Sequence, residues 1–152
     1  FINADLIAQG MSPFSPETAA FHAGRIMLGE INLFAKRGAD FGFETTLSGR
    51  SHLHLIRQLK NKGYAAHFFF LWVPSVDLAL SRVRARVSEG GHNVPEAVVR
   101  RRFGRSIRNF FIYYRWLADS WSLFDNSGAT PVLIAFEKRA EAHIMEREIY
   151  KK

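Results

Sequence analysis

Two carboxylates stand directly after short apolar segments, where enzymes with parallel sheets place catalytic groups. Asp5 follows "FIN", and Glu44 follows "FGF" and precedes two threonines. A carboxylate in such a position can accept a proton from a substrate hydroxyl, bind Mg²⁺ or cap a helix. Considered alone, Asp5 is better interpreted as a helix cap than as a catalytic base. Glu44 is as well suited to Mg²⁺ or a substrate hydrogen bond as to a structural salt bridge.

A segment rich in arginine carries the whole charge imbalance of the chain. Nine arginines and two acidic residues lie between Arg82 and Arg115, and the 152 residues together have a formal charge of +7. Several of these arginines are expected to be simply solvated. The segment contains no lysine, however, and this bias favours bidentate phosphate recognition over solvation. The "GGHN" between two helical patterns resembles the hinged tip of a lid, and we therefore place a lid at about 82–115.

The elements that must position these groups alternate between strand and helix. The sequence predicts strands at Phe1 to Asn3, Asp40 to Thr46, His67 to Val73, Ser122 to Asp125 and Val132 to Phe136. It predicts helices from Ser15 or Pro16 to Arg37, Ser51 to Lys62, Val76 to Ser88 and Pro95 to Leu117, with a charged helix at the C-terminus. The alternation predicts a single α/β domain with a mainly parallel sheet, and the apolar strand HFFFLWV suits a position between two helical layers.

The predicted strand ends define a candidate substrate site. Ligands of parallel α/β folds bind at the carboxyl ends of strands. The polar residues at these ends are Asn3, Asp5, Glu44, Thr45, Thr46, Ser48, Arg50, Asp125 and Asn126. The histidines have no metal-ligand spacing, and the three tryptophans are expected in the core.

Composition excludes several classes of protein. The chain has no cysteine, so it has neither a disulfide framework nor a thiolate site, which suits a reducing cytoplasm. The longest apolar run, Phe68 to Val73, is too short to span a membrane. The phosphate-binding motif GxxxxGK[ST] does not occur.

Four stretches of the chain resemble the zeta-toxin-like P-loop kinases, in their stand-alone bacterial branch. They begin with FINADLIAQG, FGFETTLSGR, FFFLWVPSVD and LADSWSLFDN, and "GGHNVPE" followed by "RRRF" is the most specific part. The resemblance covers about Phe1 to Ile134. It implies a three-layer P-loop kinase fold in which ATP, with Mg²⁺, donates its γ-phosphoryl group to a hydroxyl, in known zeta toxins that of a UDP-amino sugar.

The resemblance also implies roles for individual residues. Asp5 matches the base, and Glu44 and Thr46 match the acid and threonine that contact substrate and the surroundings of the metal. The lid arginines of the family are matched by Arg82 or Arg86, together with one of Arg100 to Arg102. We take Arg86 and Arg102 as catalytic, and Arg82 and Arg100 as nucleotide-binding. His92, which we take as substrate-binding, stands where toxins carry a second arginine. Asp125 and Asn126 are placed near the adenine because of their position at the last strand ends, not because of the resemblance.

In that family a central first strand and the P-loop precede the residue that matches Phe1. We therefore expect a kinase whose nucleotide-binding portion lies upstream, and no activity from these 152 residues alone. Its partners would be a small molecule, possibly a nucleotide-sugar, and possibly an antitoxin protein. Nucleic acid is not an expected partner of this kinase. Two alternatives remain: a nucleic-acid-binding module built on the arginine-rich helix, which leaves the carboxylates unused, and a non-catalytic remnant that binds a nucleotide.

Overall fold

The computed structural model describes residues 1–91, 93–138 and 140–151, and they form a mixed α/β structure. The helices are α1 (Ala4–Met11), α2 (Pro16–Lys36), α3 (Ser51–Asn61), α4 (Val76–Ser88), α5 (Glu96–Asn109) and α6 (Arg147–Tyr150). The strands are β1 (His67–Trp72), β2 (Ser120–Asp125), β3 (Val132–Lys138) and β4 (Glu141–Ile144). A π-helical turn, Phe110–Tyr114, and a 3₁₀ turn, Arg115–Leu117, continue α5.

The described residues group into two compact units. Unit 1 comprises Phe1–Thr45 and Arg86–Asn93, and unit 2 comprises Thr46–Ala85 and Val94–Lys152.

Unit 1 is built on the packing of α1 against α2. The contact is made by small side chains, since Ala8, Ala19 and Ala23 are all buried in one cluster. The apolar residues of α2 predict an inward side that carries Phe21, Ile26, Leu28, Ile31 and Phe34. This prediction is partly wrong: Ile31 is buried, but Phe21 is 80% exposed. Ile26 and Leu28 are exposed as well. Alanine side chains allow two helices to approach closely. The side of α2 that carries Ala19 and Ala23 therefore packs against α1, and larger apolar side chains on its other sides, such as Phe21, stay exposed.

The first two predicted strands of unit 1 reduce to a single parallel bridge. Ile2 pairs with Phe43, with Ile2 N–H donating to Gly42 O and Glu44 N–H donating to Ile2 O at 2.8 and 3.3 Å. Directly after this bridge the chain enters α1, a helix that the sequence analysis did not predict.

Unit 2 contains a four-stranded sheet in the order β1-β2-β3-β4. The β1–β2 pair is parallel, and the other two pairs are antiparallel. The expectation of a mainly parallel sheet is therefore not met, because short connections join β2 to β3 and β3 to β4, and such connections suit antiparallel neighbours. Strand β4 also occupies part of the stretch expected to form the C-terminal helix, of which only the four residues of α6 are helical.

One face of this sheet packs on α3, α5 and the π turn. Phe110, Tyr114 and Trp121 are almost fully buried there, and the ring of Phe70 stacks on Phe110 with centroids 4.5 Å apart. The other face of β1 is open, since Phe69 is 73% exposed. The expectation that helices cover both faces of β1 was thus wrong for the described residues: Phe68 and Phe70 pack against the core, whereas Leu71, on the same face as Phe69, is also exposed. Of the tryptophans, Trp121 is in the core, but Trp116 is 68% exposed.

Candidate functional site

In unit 1 the parallel bridge places Asn3 and Glu44 side by side at the ends of their segments. Asn3 Nδ2 donates to Glu44 Oε2 at 2.7 Å. Asn3 is also the N-cap of α1, because its Oδ1 accepts from the backbone N–H groups of Asp5 and Leu6 at 2.8 and 3.1 Å. Both ends of the Asn3 side chain are therefore occupied within the protein. Asn3 positions Glu44 and α1, and direct binding of a substrate by Asn3 stays a prediction.

The cap at Asn3 settles which residue begins α1. Asp5 is not the cap; it stands in the first turn of α1, where a carboxylate lies near the partially positive end of the helix. Asp5, Glu44 and Thr45 are all exposed. The bridge and the cap thus bring two exposed carboxylates to the carboxyl ends of two parallel segments, an arrangement suited to a substrate hydroxyl or a hydrated cation.

Glu44 was predicted to bind Mg²⁺, and the fold places no set of additional protein ligands around it among the described residues. Among residues 1–91, 93–138 and 140–151, no group of three or more histidine, aspartate or glutamate side chains could hold a metal ion. Glu44 remains a single candidate ligand, which fits Mg²⁺ only where phosphate and water supply the other oxygens.

Arg86, the remaining predicted site residue of unit 1, lies at the end of α4 beside a glycine turn. Gly91 N–H donates to Arg86 O at 2.8 Å, and Gly90 has a φ of +88°. A Cβ atom on Gly91 would come within 2.5 Å of Arg86 Cγ and 2.9 Å of Arg86 O. The turn therefore requires glycine at position 91. His92, the next predicted substrate residue, lies outside the described residues.

In unit 2 the segment 46–50 forms a loop that is tied to the end of α5. Asn109 Nδ2 donates to Leu47 O at 2.8 Å, and Tyr114 Oη donates to Gly49 O at 2.7 Å. Asn109 and Tyr114 are 6% and 0% exposed. These two buried hydrogen bonds fix the backbone of the loop from beneath and leave its outer side chains toward solvent.

The outer side chains of this loop form a small polar surface. The hydroxyls of Thr46 and Ser48 are 2.9 Å apart and hydrogen-bonded to each other. The Arg50 guanidinium lies over the Tyr113 ring, with Cζ 4.4 Å from the ring centroid. Leu47 is 5% exposed and has a positive φ of 53°, which a leucine adopts rarely and only where surrounding contacts hold it. The structure therefore brings together the predicted substrate residues Thr46 and Ser48, whereas the Arg50 side chain packs on Tyr113.

The carboxyl ends of β1 and β2 gather a second group of predicted residues. Asn126 N–H donates to Trp72 O, and Asp125 Oδ1 accepts from Ser127 N–H, each at 2.8 Å. Arg82 Nη2 donates to Gly128 O at 3.2 Å, so Arg82 lies at the loop that contains Asp125 and Asn126. These three residues, assigned to the nucleotide, share one edge of the sheet.

The two predicted arginines of α5 differ in their surroundings. Arg100 contacts Glu96 Oε1, with Nη2 at 2.7 Å and Nε at 2.8 Å, and its Nη2 is 3.6 Å from Asp77 Oδ1. Its charge is therefore already compensated by two carboxylates, of which Glu96 lies on α5 itself and Asp77 lies on α4. Arg102 is exposed, and within the described part of the chain no ion pair involves it. Of the two, Arg102 is better placed to meet an external phosphate.

Sequence reasoning missed the residues that support the 46–50 loop. Asn109 and Tyr114 stand within the pattern that predicts one helix from Pro95 to Leu117, and the apolar spacing places Tyr114 on the inward side of that helix. The signal was an asparagine next to an aromatic run, since a buried amide needs a partner outside its own helix. The bounds of the π turn could not be read from the sequence.

Comparison with known proteins gives a relative but no activity. No protein-family model and no solved structure matches the chain. No helix among the described residues is long and apolar enough to cross a membrane. A Haemophilus influenzae protein described only as uncharacterized is 33% identical over 102 residues, which cover 67% of this chain and 73% of that protein. The chain belongs to the same family as this Haemophilus influenzae protein.

Proposed function

We propose that the chain is the acceptor-binding and arginine-bearing part of a zeta-toxin-like kinase with a P-loop kinase fold. The proposed reaction moves the γ-phosphoryl group of ATP to a hydroxyl of a small molecule, and a nucleotide-sugar is the favoured acceptor class. We also propose that the enzyme acts in the cytoplasm.

One observation carries this proposal: the hydrogen bond between Asn3 and Glu44 beside the capped start of α1. It holds one carboxylate at the end of a parallel segment and sets Asp5 in the first turn of the helix that follows the other segment. A phosphoryl-transfer enzyme needs such groups because catalysis depends on positioning the acceptor hydroxyl and on electrostatic stabilisation. Asp5 would accept the hydroxyl proton, and Glu44 would orient the acceptor or a hydrated Mg²⁺.

The loop at 46–50 supports the acceptor role independently. Its Thr46 and Ser48 hydroxyls and the Arg50 guanidinium offer hydrogen bonds to a sugar or a phosphate, and Asn109 and Tyr114 hold the backbone beneath them. Pre-organised donors lose little conformational entropy when a ligand binds. Arg86 and Arg102 would stabilise the negative charge of the transferred group.

The residues present hold only part of what ATP requires. Arg82 and the loop at Asp125 and Asn126 offer polar groups for the nucleotide, but no GxxxxGK[ST] occurs among the 152 residues to bind its phosphates. ATP supplies the phosphoryl group and Mg²⁺ neutralises its charge when they are bound. We expect no measurable ATP turnover by the 152-residue chain, and robust turnover by purified material would contradict this.

The test uses the reading frame extended upstream of Phe1 until it includes a P-loop. The extended protein is expected to transfer ³²P from γ-labelled ATP to UDP-N-acetylglucosamine. Asp5→Asn is expected to lower transfer by roughly 10²–10⁴-fold, the usual contribution of a general base, while ATP binding is unchanged.

Asp40→Asn is the matched control, because Asp40 is an equally exposed carboxylate at the other end of the same predicted strand as Glu44. It should leave transfer unchanged. Full activity in Asp5→Asn would show that the base is assigned wrongly, and failure of every extended version to bind ATP would refute the kinase.

A further inference from the structure

The outer surface of α5 carries cations that neither the fold nor the proposed kinase reaction uses. Arg101, Arg105 and Arg108 follow one another at helical spacing, so they lie along one side of α5, and all three are exposed. We call these three residues the arginine stripe. No ion pair within the described residues involves them.

The acidic residues near α5 are engaged elsewhere. Glu96 and Asp77 both contact Arg100, which is not part of the arginine stripe. Unit 2 as a whole has 17 basic and 8 acidic side chains, whereas unit 1 has 4 and 6. The excess of positive charge therefore belongs to unit 2, and the arginine stripe presents it to solvent without local compensation.

An exposed apolar surface with one aromatic ring continues the arginine stripe at the C-terminal end of α5. Ile112 and Trp116 follow Arg108 at successive four-residue steps, and they are 47% and 68% exposed. The Arg115 guanidinium stacks on the Trp116 ring, with Cζ 4.5 Å from the ring centroid. This contact holds the indole against one cation and leaves a large part of the ring accessible.

Cations followed by an accessible aromatic ring are the pattern that binds single-stranded nucleic acid. The arginine stripe extends over about 10 Å of helix axis, which faces roughly three phosphates of a strand. A base stacks on an aromatic face only where it is not already paired and stacked in a duplex. Arginine rather than lysine is the residue that pairs bidentately with phosphate.

We propose that the arginine stripe and Trp116 form a binding surface for single-stranded nucleic acid. The phosphates of the strand contact the stripe, and a base stacks on the open face of Trp116. No residue that we assign to the kinase reaction takes part in this surface. A negative result for nucleic-acid binding would therefore leave the proposed function untouched, and the reverse holds as well.

The experiment measures binding of the 152-residue chain to a fluorescein-labelled 20-nucleotide oligothymidylate by fluorescence anisotropy at several salt concentrations. The triple variant R101Q/R105Q/R108Q is expected to bind at least tenfold more weakly at low salt. Its plot of log Kd against log salt should be less steep by about 2, since each phosphate contact to a single strand contributes about 0.7.

A second triple variant, R57Q/K62Q/K138Q, removes the same charge from other exposed positions of unit 2. It should bind less than threefold more weakly than the natural chain. Trp116→Ala should weaken binding about tenfold through lost stacking, and Trp116→Phe should retain most of the affinity. If the stripe variant is unstable by circular dichroism, Arg105→Gln alone should still reduce the slope by about 0.7.

Equal weakening by the two triple variants would overturn the proposal, because it would show a non-specific charge effect. An unchanged affinity in Trp116→Ala would also overturn it. Binding of a 20-base-pair duplex as tightly as the single strand would indicate a different ligand, and displacement of the oligonucleotide by poly-L-glutamate at equal charge would indicate an acidic polypeptide partner.

Discussion

Asn109 donates a hydrogen bond from its buried side-chain amide to the backbone carbonyl of Leu47, 2.8 Å away and 62 residues earlier in the chain. Tyr114 donates a second hydrogen bond, from its hydroxyl group to the backbone carbonyl of Gly49 in the same loop. In an α-helix two residues five apart point about 140° away from each other. The π turn at Phe110–Tyr114, with its wider i→i+5 spacing, brings them toward the same side, and both therefore reach one loop.

Replacement of Asn109 should destabilise the protein. Asn109→Ala leaves the Leu47 carbonyl without its partner in a buried position, and we expect the free energy of unfolding to fall by about 1–3 kcal/mol. Urea denaturation followed by circular dichroism measures this change. Gln58→Ala removes an amide from an exposed position of α3 and should change stability by less than about 0.5 kcal/mol. Equal effects of the two variants would mean that the bond to Leu47 contributes nothing.

Tyr114 should make stability sensitive to alkaline pH. Burial raises the pKa of the Tyr114 hydroxyl, so the folded state favours the neutral phenol. This contribution is complete below the ordinary tyrosine pKa of about 10 and is lost as the pH rises above it, because the unfolded chain releases its proton first. Tyr114→Phe, which lacks this proton, should lose stability less steeply between about pH 9.5 and 11.5. Parallel curves for the two proteins in urea denaturation across this range would contradict the expectation.

Two glycines in the arginine-rich region should respond oppositely to alanine. Gly91→Ala places a Cβ against the carbonyl and side chain of Arg86, and we expect it to lower the free energy of unfolding by about 1–3 kcal/mol. A Cβ on Gly104, within α5, meets nothing within 4 Å. Gly104→Ala should therefore raise stability by about 0.5–1 kcal/mol, because alanine has less backbone freedom to lose in a helix. Thermal denaturation of both variants measures these changes, and the same sign for both would show that the turn at Gly91 is not tight.

Asp119 should contribute to stability at neutral but not at acidic pH. A hydrogen bond from Lys60, together with one from the Ala66 N–H, lowers the pKa of the Asp119 carboxyl below its ordinary value of 3.8. A lowered pKa stabilises the fold above the unfolded pKa, and this contribution disappears as the pH falls through the folded pKa. Asp119→Ala should cost about 1 kcal/mol at pH 7, a modest value because the side chain is partly exposed.

The same variant compared with the natural chain at decreasing pH tests the sign of this effect. The difference in the free energy of unfolding should narrow below about pH 4. A difference that stays constant from pH 7 to pH 3 would show that the carboxylate charge is not what stabilises the contact.

Several features of the fold could be predicted from the sequence because local patterns specify them. Pro16 and the apolar periodicity defined α2. The spacing of Leu53, Ile56 and Leu59 predicts that they share the inward side of α3, and all three are buried. The parallel pairing of β1 was also correct. The first two features depend on residues close together in the chain, for which periodicity and capping are informative. The pairing of β1 joins strands 53 residues apart, and it was predictable only because a continuous apolar run is typical of parallel strands.

The arrangement of the candidate site depended on contacts that no local pattern contains. The residue types and positions of Asp5, Glu44 and the arginines determined that the chain presents carboxylates and cations suited to phosphate chemistry. Only the tertiary structure decided that Asn3 both caps α1 and binds Glu44, and that Asn109 supports a loop 62 residues away. It also decided that Arg100 is in an ion pair, whereas no ion pair among the described residues involves Arg102. Which side chains meet depends on how the chain packs over long separations, and packing is set by shape and by partners elsewhere in the sequence.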